Sequence, residues 1–231
     1  MDPRDRLMKA RAAADAGDYE TALSEYVWFH DHALEHRPSL YGVRLSFALS
    51  YWKNLGDRYP PAMLALRNMR GDKTARLLHG EEDRALFHDV ASINEYLGEE
   101  RSTYELFRTL DQTAPAFARQ CFTLAVDAIV AARDFELADQ YAPDPESALL
   151  EFSGDLNNDV ADYRAGPPVR APRLDAYIHI YCGRIRNLLR ILAGTGRKLD
   201  ADLAREWAVA LVEDRRVRNR VRTALYSNND A

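Results

Sequence analysis

The string His32-Ala33-Leu34-Glu35-His36 holds the residues best spaced for chemistry in this chain. It fits the H-x-x-E-H pattern of zinc hydrolases. On a helix the two imidazoles stand one turn apart on one face, where both could ligate a metal, and Glu35 could serve as general base toward metal-bound water. His30 would add a third donor for a purely structural metal site. Two features weigh against a metal: histidine near a helix C-terminus is favoured by the helix dipole without any ligand, and no strand-rich peptidase scaffold surrounds the string. The expectation is no metal and no cofactor, with a zinc hydrolase at His32, Glu35 and His36 as an alternative.

Other chemistries have thinner support. Cys121 lies in CFTLAVDAIVAA and Cys182 in YIHIYCGRI, apolar helical contexts in which a thiol behaves as a small hydrophobe. His179 precedes Cys182 by three residues, a common helical spacing, and no G-x-S-x-G elbow occurs. Neither phosphate-binding glycine motif is present, and Gly194-Thr195-Gly196-Arg197 reads as a helix cap and loop. No enzyme is expected. The run RRVRNRVR, Arg215 to Arg222, carries five arginines that could contact phosphates. Val217, Val221 and Leu225, however, form a stripe at i, i+4, i+8 beside them, which describes a docked helix with a solvated basic face. Nucleic acid is therefore an alternative partner, not the favoured one.

These residues need elements to hold them, and composition bounds what those elements are. The chain has 231 residues, 47% apolar and 29% charged, with 10 Pro and 11 Gly. That excludes disordered and collagen-like compositions and allows a sizeable core. Two cysteines make no disulfide framework and fit a reducing cytoplasm. The N-terminus is charged from its second residue, unlike a secretory signal, and the apolar stretch 121–132 is broken by Asp127 and too short to span a membrane. Charge is uneven. Residues 164–231 hold 14 Lys plus Arg and 7 Asp plus Glu, a balance of +7, so the net −5 leaves −12 for residues 1–163.

Nearly every segment shows the 3.6-residue apolar period, and none alternates long enough for a strand, so the fold class is all-α. In residues 146–163, Leu149, Phe152, Leu156, Val160 and Tyr163 form one stripe, while Glu151, Asp155, Asp159 and Asp162 follow the opposite one. Helices are expected over 4–15, 18–36, 40–55, 60–79, 83–97, 101–112, 115–131, 134–141, 146–163, 174–193 and 200–225. Breakers separate them, among them Gly17-Asp18, Gly56-Asp57, Gly98 and Arg133-Asp134, with the acids as N-caps. Asp18, Asp57, Glu99 and Asp134 recur at spacings of 39, 42 and 35 residues, a period that suggests stacked helical hairpins. The Pro-rich segment 164–173 reads as a linker between a repeat body, 1–163, and a C-terminal helical pair, 174–231.

Against that frame, GDYETALSEY (Gly17 to Tyr26) and HALEHRP (His32 to Pro38) resemble the second helix of the tetratricopeptide family. Four extra residues, VWFH, about one turn, lengthen that helix. LGEERSTYELFRTLDQTAP (Leu97 to Pro115) is similar at the family's usual spacing, and ARDFELADQYAPDP (Ala132 to Pro145) matches less fully. The first unit departs from the pattern, with Arg6 and Lys9 at positions where the family places large apolar residues. The resemblance implies a tetratricopeptide-like α-hairpin solenoid over residues 4–145, closed by the C-terminal helices as a cap, and the whole chain resembles bacterial proteins of this build.

It further implies a non-enzymatic scaffold that binds a protein or peptide in a groove lined by the first helix of each unit. Carried over position by position, the groove residues are Arg11 in the first unit and Ser46, Ser50 and Lys53 in the second. The third supplies His88, Ser92 and Glu95, and the fourth Thr123 and Asp127. They lack the Lys and Arg cluster with which family members clamp a carboxylate terminus, and their mixed charge favours an extended peptide or a partner's loop. An adaptor is the first expectation, and an immunity or regulatory protein that inhibits a toxin or enzyme is an alternative. Within the aromatic-rich first third, the lengthened helix would present Trp28 or Phe29 as an interface anchor.

Overall fold

The computed structural model describes residues 2–166 and 173–227. All regular structure among them is helical, and no described helix is long and apolar enough to cross a membrane. Packing divides the chain into two compact units, Met1–Ala128 and Ile129–Ala231.

In the first unit, α1 (Pro3–Asp15) packs on α2 (Tyr19–His36); a 3-10 turn (Pro38–Leu40) then leads to α3 (Tyr41–Leu45) and α4 (Phe47–Gly56). α4 packs on α5 (Pro60–Leu78), α5 on α6 (Arg84–Leu97), and α6 on α7 (Glu100–Thr113). The divide falls inside α8 (Pro115–Ala131). Leu7, Ala22, Phe29, Leu49, Trp52, Leu55, Leu66 and Ile93 build the core of this unit. The Trp52 indole N–H donates to the carbonyl of Ala62 at 2.9 Å, so the largest core side chain keeps its polar atom satisfied.

The second unit holds α9 (Phe135–Tyr141), α10 (Pro145–Ala165), α11 (Arg173–Gly194), α12 (Lys198–Ala210) and α13 (Arg215–Tyr226). α11 is its hub, with α9, α10, α12 and α13 all packed on it around Leu149, Leu156, Tyr181, Ile185, Leu189, Val217 and Val221. The packing therefore does not divide at the Pro-rich segment, because α10, which precedes it, docks on α11, which follows it. Residues 167–172 of that expected linker lie outside the described residues.

Two expected helices are broken. Residues 40–55 are interrupted at Ser46, whose φ of −123° and ψ of −92° leave the helical region and whose hydroxyl donates to the carbonyl of Gly42 at 2.6 Å. That side chain competes for a carbonyl the helix would use. Arg44, Leu45, Ala48, Leu49 and Trp52 keep a helical spacing of buried positions through the break, so periodicity does not reveal it. Residues 200–225 form two helices: Asp214 caps α13 by accepting from the backbone of Arg216 and Val217, and the expected C-terminal pair is three helices.

The turns repeat one geometry. At Gly17, Gly80, Gly98, Arg133 and Gly196 the backbone enters the left-handed region (φ of 83°, 93°, 68°, 61° and 86°), and the next residue's N–H returns to a carbonyl five residues back. This is the Schellman closure, which favours glycine. Asp18 and Asp134 then cap the following helices by accepting from Thr21 and Leu137. Asp57 does not, because Gly56 is still helical and serves a close approach: a Cβ there would meet the Cα of Met63 at 3.1 Å.

Candidate functional site

α6, α7 and α8 enclose a cavity of about 400 Å³ within the first unit. Five of the nine groove residues read from the sequence line it: His88, Ser92 and Glu95, at one face of α6, and Thr123 and Asp127 on α8. Ala91, Leu124 and Ala128 add apolar wall, and Glu100 and Thr103 come from α7. The sequence reading missed the α7 pair because it drew groove residues from first helices alone; Glu100 in the first turn of α7 is the signal that could have found it.

Three carboxylates, those of Glu95, Glu100 and Asp127, line the cavity, and the Arg84 guanidinium lies at its edge. Glu95 titrates above its ordinary range because of partial burial and the nearby charges of Asp127 and Glu100. His88 titrates below its ordinary range, through burial and the charge of Arg84, so its ring is neutral at pH 7. The Tyr41 hydroxyl can then donate to His88 Nδ1, 2.9 Å away. Arg84 donates to the carbonyl of Gln120 at 2.8 Å and to the Thr123 hydroxyl at 3.2 Å.

The other four expected residues do not line this cavity. The Arg11 guanidinium lies 4.4 Å from the Tyr51 ring, Lys53 pairs with Asp57 at 2.7 Å, and the Ser46 hydroxyl is held by Gly42. Ser50 lies on α4, half-buried, one turn past Ser46.

Beside the cavity, turned the other way along α6, lies a buried charge cluster that the sequence reading did not anticipate. Asp89 accepts from Arg44 through both oxygens and from Lys73 at 2.7 Å, with His30 Nε2 at 3.7 Å. Burial works against the Asp89 carboxylate, yet the Arg44 and Lys73 cations outweigh it and hold it well below the usual range. His30 is lowered, chiefly by burial. Arg44 Nη1 stands 3.2 Å from His30 Nε2, and because a guanidinium only donates, Nε2 accepts and the ring proton sits on Nδ1. His30 Nδ1 and Arg44 Nε are buried with no hydrogen-bond partner among the described residues.

The remaining chemical candidates fall into place as follows. Trp28 stacks beside His36 and is tilted against His32, with the Arg6 guanidinium 3.8 Å from its ring, while Phe29 is fully buried. His32 Nδ1 lies 3.2 Å from Glu35, and no group of three His, Cys, Asp or Glu among the described residues is placed to hold a metal ion. Burial pushes the Cys121 thiol up to about 12 and raises that of Cys182, which keeps both protonated at neutral pH. On α13, Arg218 donates to the carbonyl of Val212, and Arg220 pairs with Asp175; Val217, Val221 and Leu225 are buried. In the expected acidic stripe, Asp155 pairs with Arg184 of α11 at 2.8 Å.

Among known proteins, no family model, no curated protein sequence and no solved structure matches this chain.

Proposed function

We propose that the chain is a non-enzymatic scaffold of tetratricopeptide-like build that binds a peptide or a partner's loop, using the groove between α6, α7 and α8. One observation carries the reading: five residues chosen from the sequence as ligand-facing line a single cavity. The packing of neighbouring helices in order, α1 on α2 and α4 through α7, supports the repeat character. The reading is narrower than the nine-residue groove, because Arg11 and Lys53 are engaged elsewhere.

The test is selection from a random peptide display library against the immobilised protein, followed by titration of enriched peptides. Thr123→Trp plugs the cavity from an exposed position and so spares the core. Enriched peptides should lose at least tenfold in affinity for this variant. Equal affinity for the plugged and native proteins would overturn the reading.

A further inference from the structure

We propose that two copies of this chain pair through the outer face of α12, in the second unit, as a two-fold symmetric dimer. The inference is independent of the groove reading, which concerns the first unit.

The first observation is that α12 turns its larger apolar side chains outward. Ala201, Ala204, Ala208 and Val209 form its buried side, packed among α10, α11 and α13. Leu199, Leu203 and Trp207 stand on the opposite side at i, i+4, i+8, with 80%, 59% and 48% of their surface exposed. They take no part in the core around α11. Single exposed leucines are ordinary on a protein surface, but a helix with two opposite apolar faces is of the kind that is covered on both.

The second is the extent of the face. α12 is 13 residues long, about 20 Å. Tyr226 of α13, half-exposed, lies beside it, with the Arg205 guanidinium of α12 at 5.7 Å from the ring centre. Two leucines and two aromatic rings make the apolar centre of a small interface, which holds a dimer in the micromolar range.

The third is the charge around that centre, which selects the occupant. Glu206, three residues after Leu203, makes no ion pair among the described residues. Neither do Arg215 and Arg222, which share a face of α13 with Tyr226 at spacings of seven and four. An anionic lipid surface would be repelled by Glu206, Asp200 and Asp202 along the leucine stripe, and a partner of one charge sign would meet like charge on part of the rim. A second copy meets neither objection. In a two-fold pairing the patch faces itself, so acids of one copy can lie opposite arginines of the other.

Sedimentation velocity of the full chain, from about 1 µM to about 200 µM at moderate salt, tests this. The expected result is a reversible monomer–dimer equilibrium that Leu203→Glu weakens at least tenfold. Leu203 is exposed on the side away from the core, so the variant keeps the fold, which its circular dichroism checks. Leu64→Glu, at an equally exposed leucine of α5, is the control and should leave the equilibrium unchanged. Glu206→Arg should weaken the dimer as well, and a tighter dimer there overturns the inference. A monomer across the whole range, a dimer that survives Leu203→Glu, or equal loss in Leu203→Glu and Leu64→Glu overturns it too. So does growth beyond the dimer, which a closed two-fold pairing forbids. Uptake of a monomeric chain by phosphatidylserine vesicles, lost in Leu203→Glu, would give the face to a membrane and overturn the inference.

Discussion

Asp89→Asn probes the energetics of the first unit most directly. The side chains of Asp89 and Arg44 are 5% and 6% exposed, and Lys73, at 15%, completes the contact. Asparagine preserves volume and removes the charge, so the Arg44 guanidinium is left in the interior without its counter-ion. Removing one partner of a buried pair costs about 3–5 kcal/mol, whereas an exposed pair contributes about 0–1 kcal/mol. Arg101 and Glu105, at 66% and 64% exposure, belong to the second class. Because Lys73 reaches toward solvent, part of the charge can be rehydrated, and the expected loss is about 3 kcal/mol, at the lower end of the buried range. Urea unfolding would measure it in a Trp207→Phe background, where the signal comes from Trp28 and Trp52, both in the first unit. With an m-value of about 1–3 kcal/mol/M, the midpoint falls by at least about 1 M. Arg44→Met combined with Asp89→Leu removes both charges and keeps the space filled, so it should recover at least half of the loss. A cost below about 1 kcal/mol for Asp89→Asn would refute the reasoning, since it would put the buried contact on the footing of an exposed one.

Acid should weaken the first unit before it protonates Asp89. His30 and His88 both titrate below their ordinary value of 6.5 in the folded chain, so below about pH 6.5 the unfolded state takes up protons that the native state refuses. Their stability contribution is complete above that pH and is lost below it, at up to about 1.4 kcal/mol per pH unit per ring. Urea midpoints between pH 7.5 and 5.5 should fall accordingly, and His30→Gln, which keeps an acceptor for Arg44, should flatten the slope; an unchanged slope in that variant sinks the assignment. Asp89 follows the same sign at lower pH: its depressed range gives stability that is present above its ordinary value of 3.8 and is lost as pH falls toward the folded value. Arg133→Gly should stabilise the second unit by about 0.5–1 kcal/mol, because a side chain held at φ 61° in an exposed turn costs more than the added freedom of glycine. Thermal unfolding followed through Trp207 reads this, and a lower melting temperature would count against it.

Much of the local structure was legible. The 3.6-residue period located nearly all the helices, and the pairs Gly17-Asp18 and Arg133-Asp134 marked turns whose acids do cap the next helix. That His88, Ser92 and Glu95 share one cavity wall was legible for the same reason: residues three or four apart share a helix face. What failed was anything decided by a partner distant in sequence. Gly56-Asp57 looks like Gly17-Asp18 as text, yet Gly56 answers the close approach of Met63 and makes no left-handed turn. Arg44 reads as one more surface charge on an amphipathic segment until Asp89, 45 residues later, is placed opposite it.

The sequence by itself determined an all-helical chain, its capped turns and the residues that share each face, because these depend on interactions within a few positions. Only the tertiary structure decided where helices 40–55 and 200–225 break, which unit α10 joins, and which of the expected groove residues meet. Asn157 shows why. From α10 it donates to the carbonyl of Leu211 and accepts from the N–H of Glu213, both at 3.0 Å, satisfying the backbone groups exposed between α12 and α13. A helix can end where the fold supplies partners for its open ends, and those partners lie more than fifty residues away.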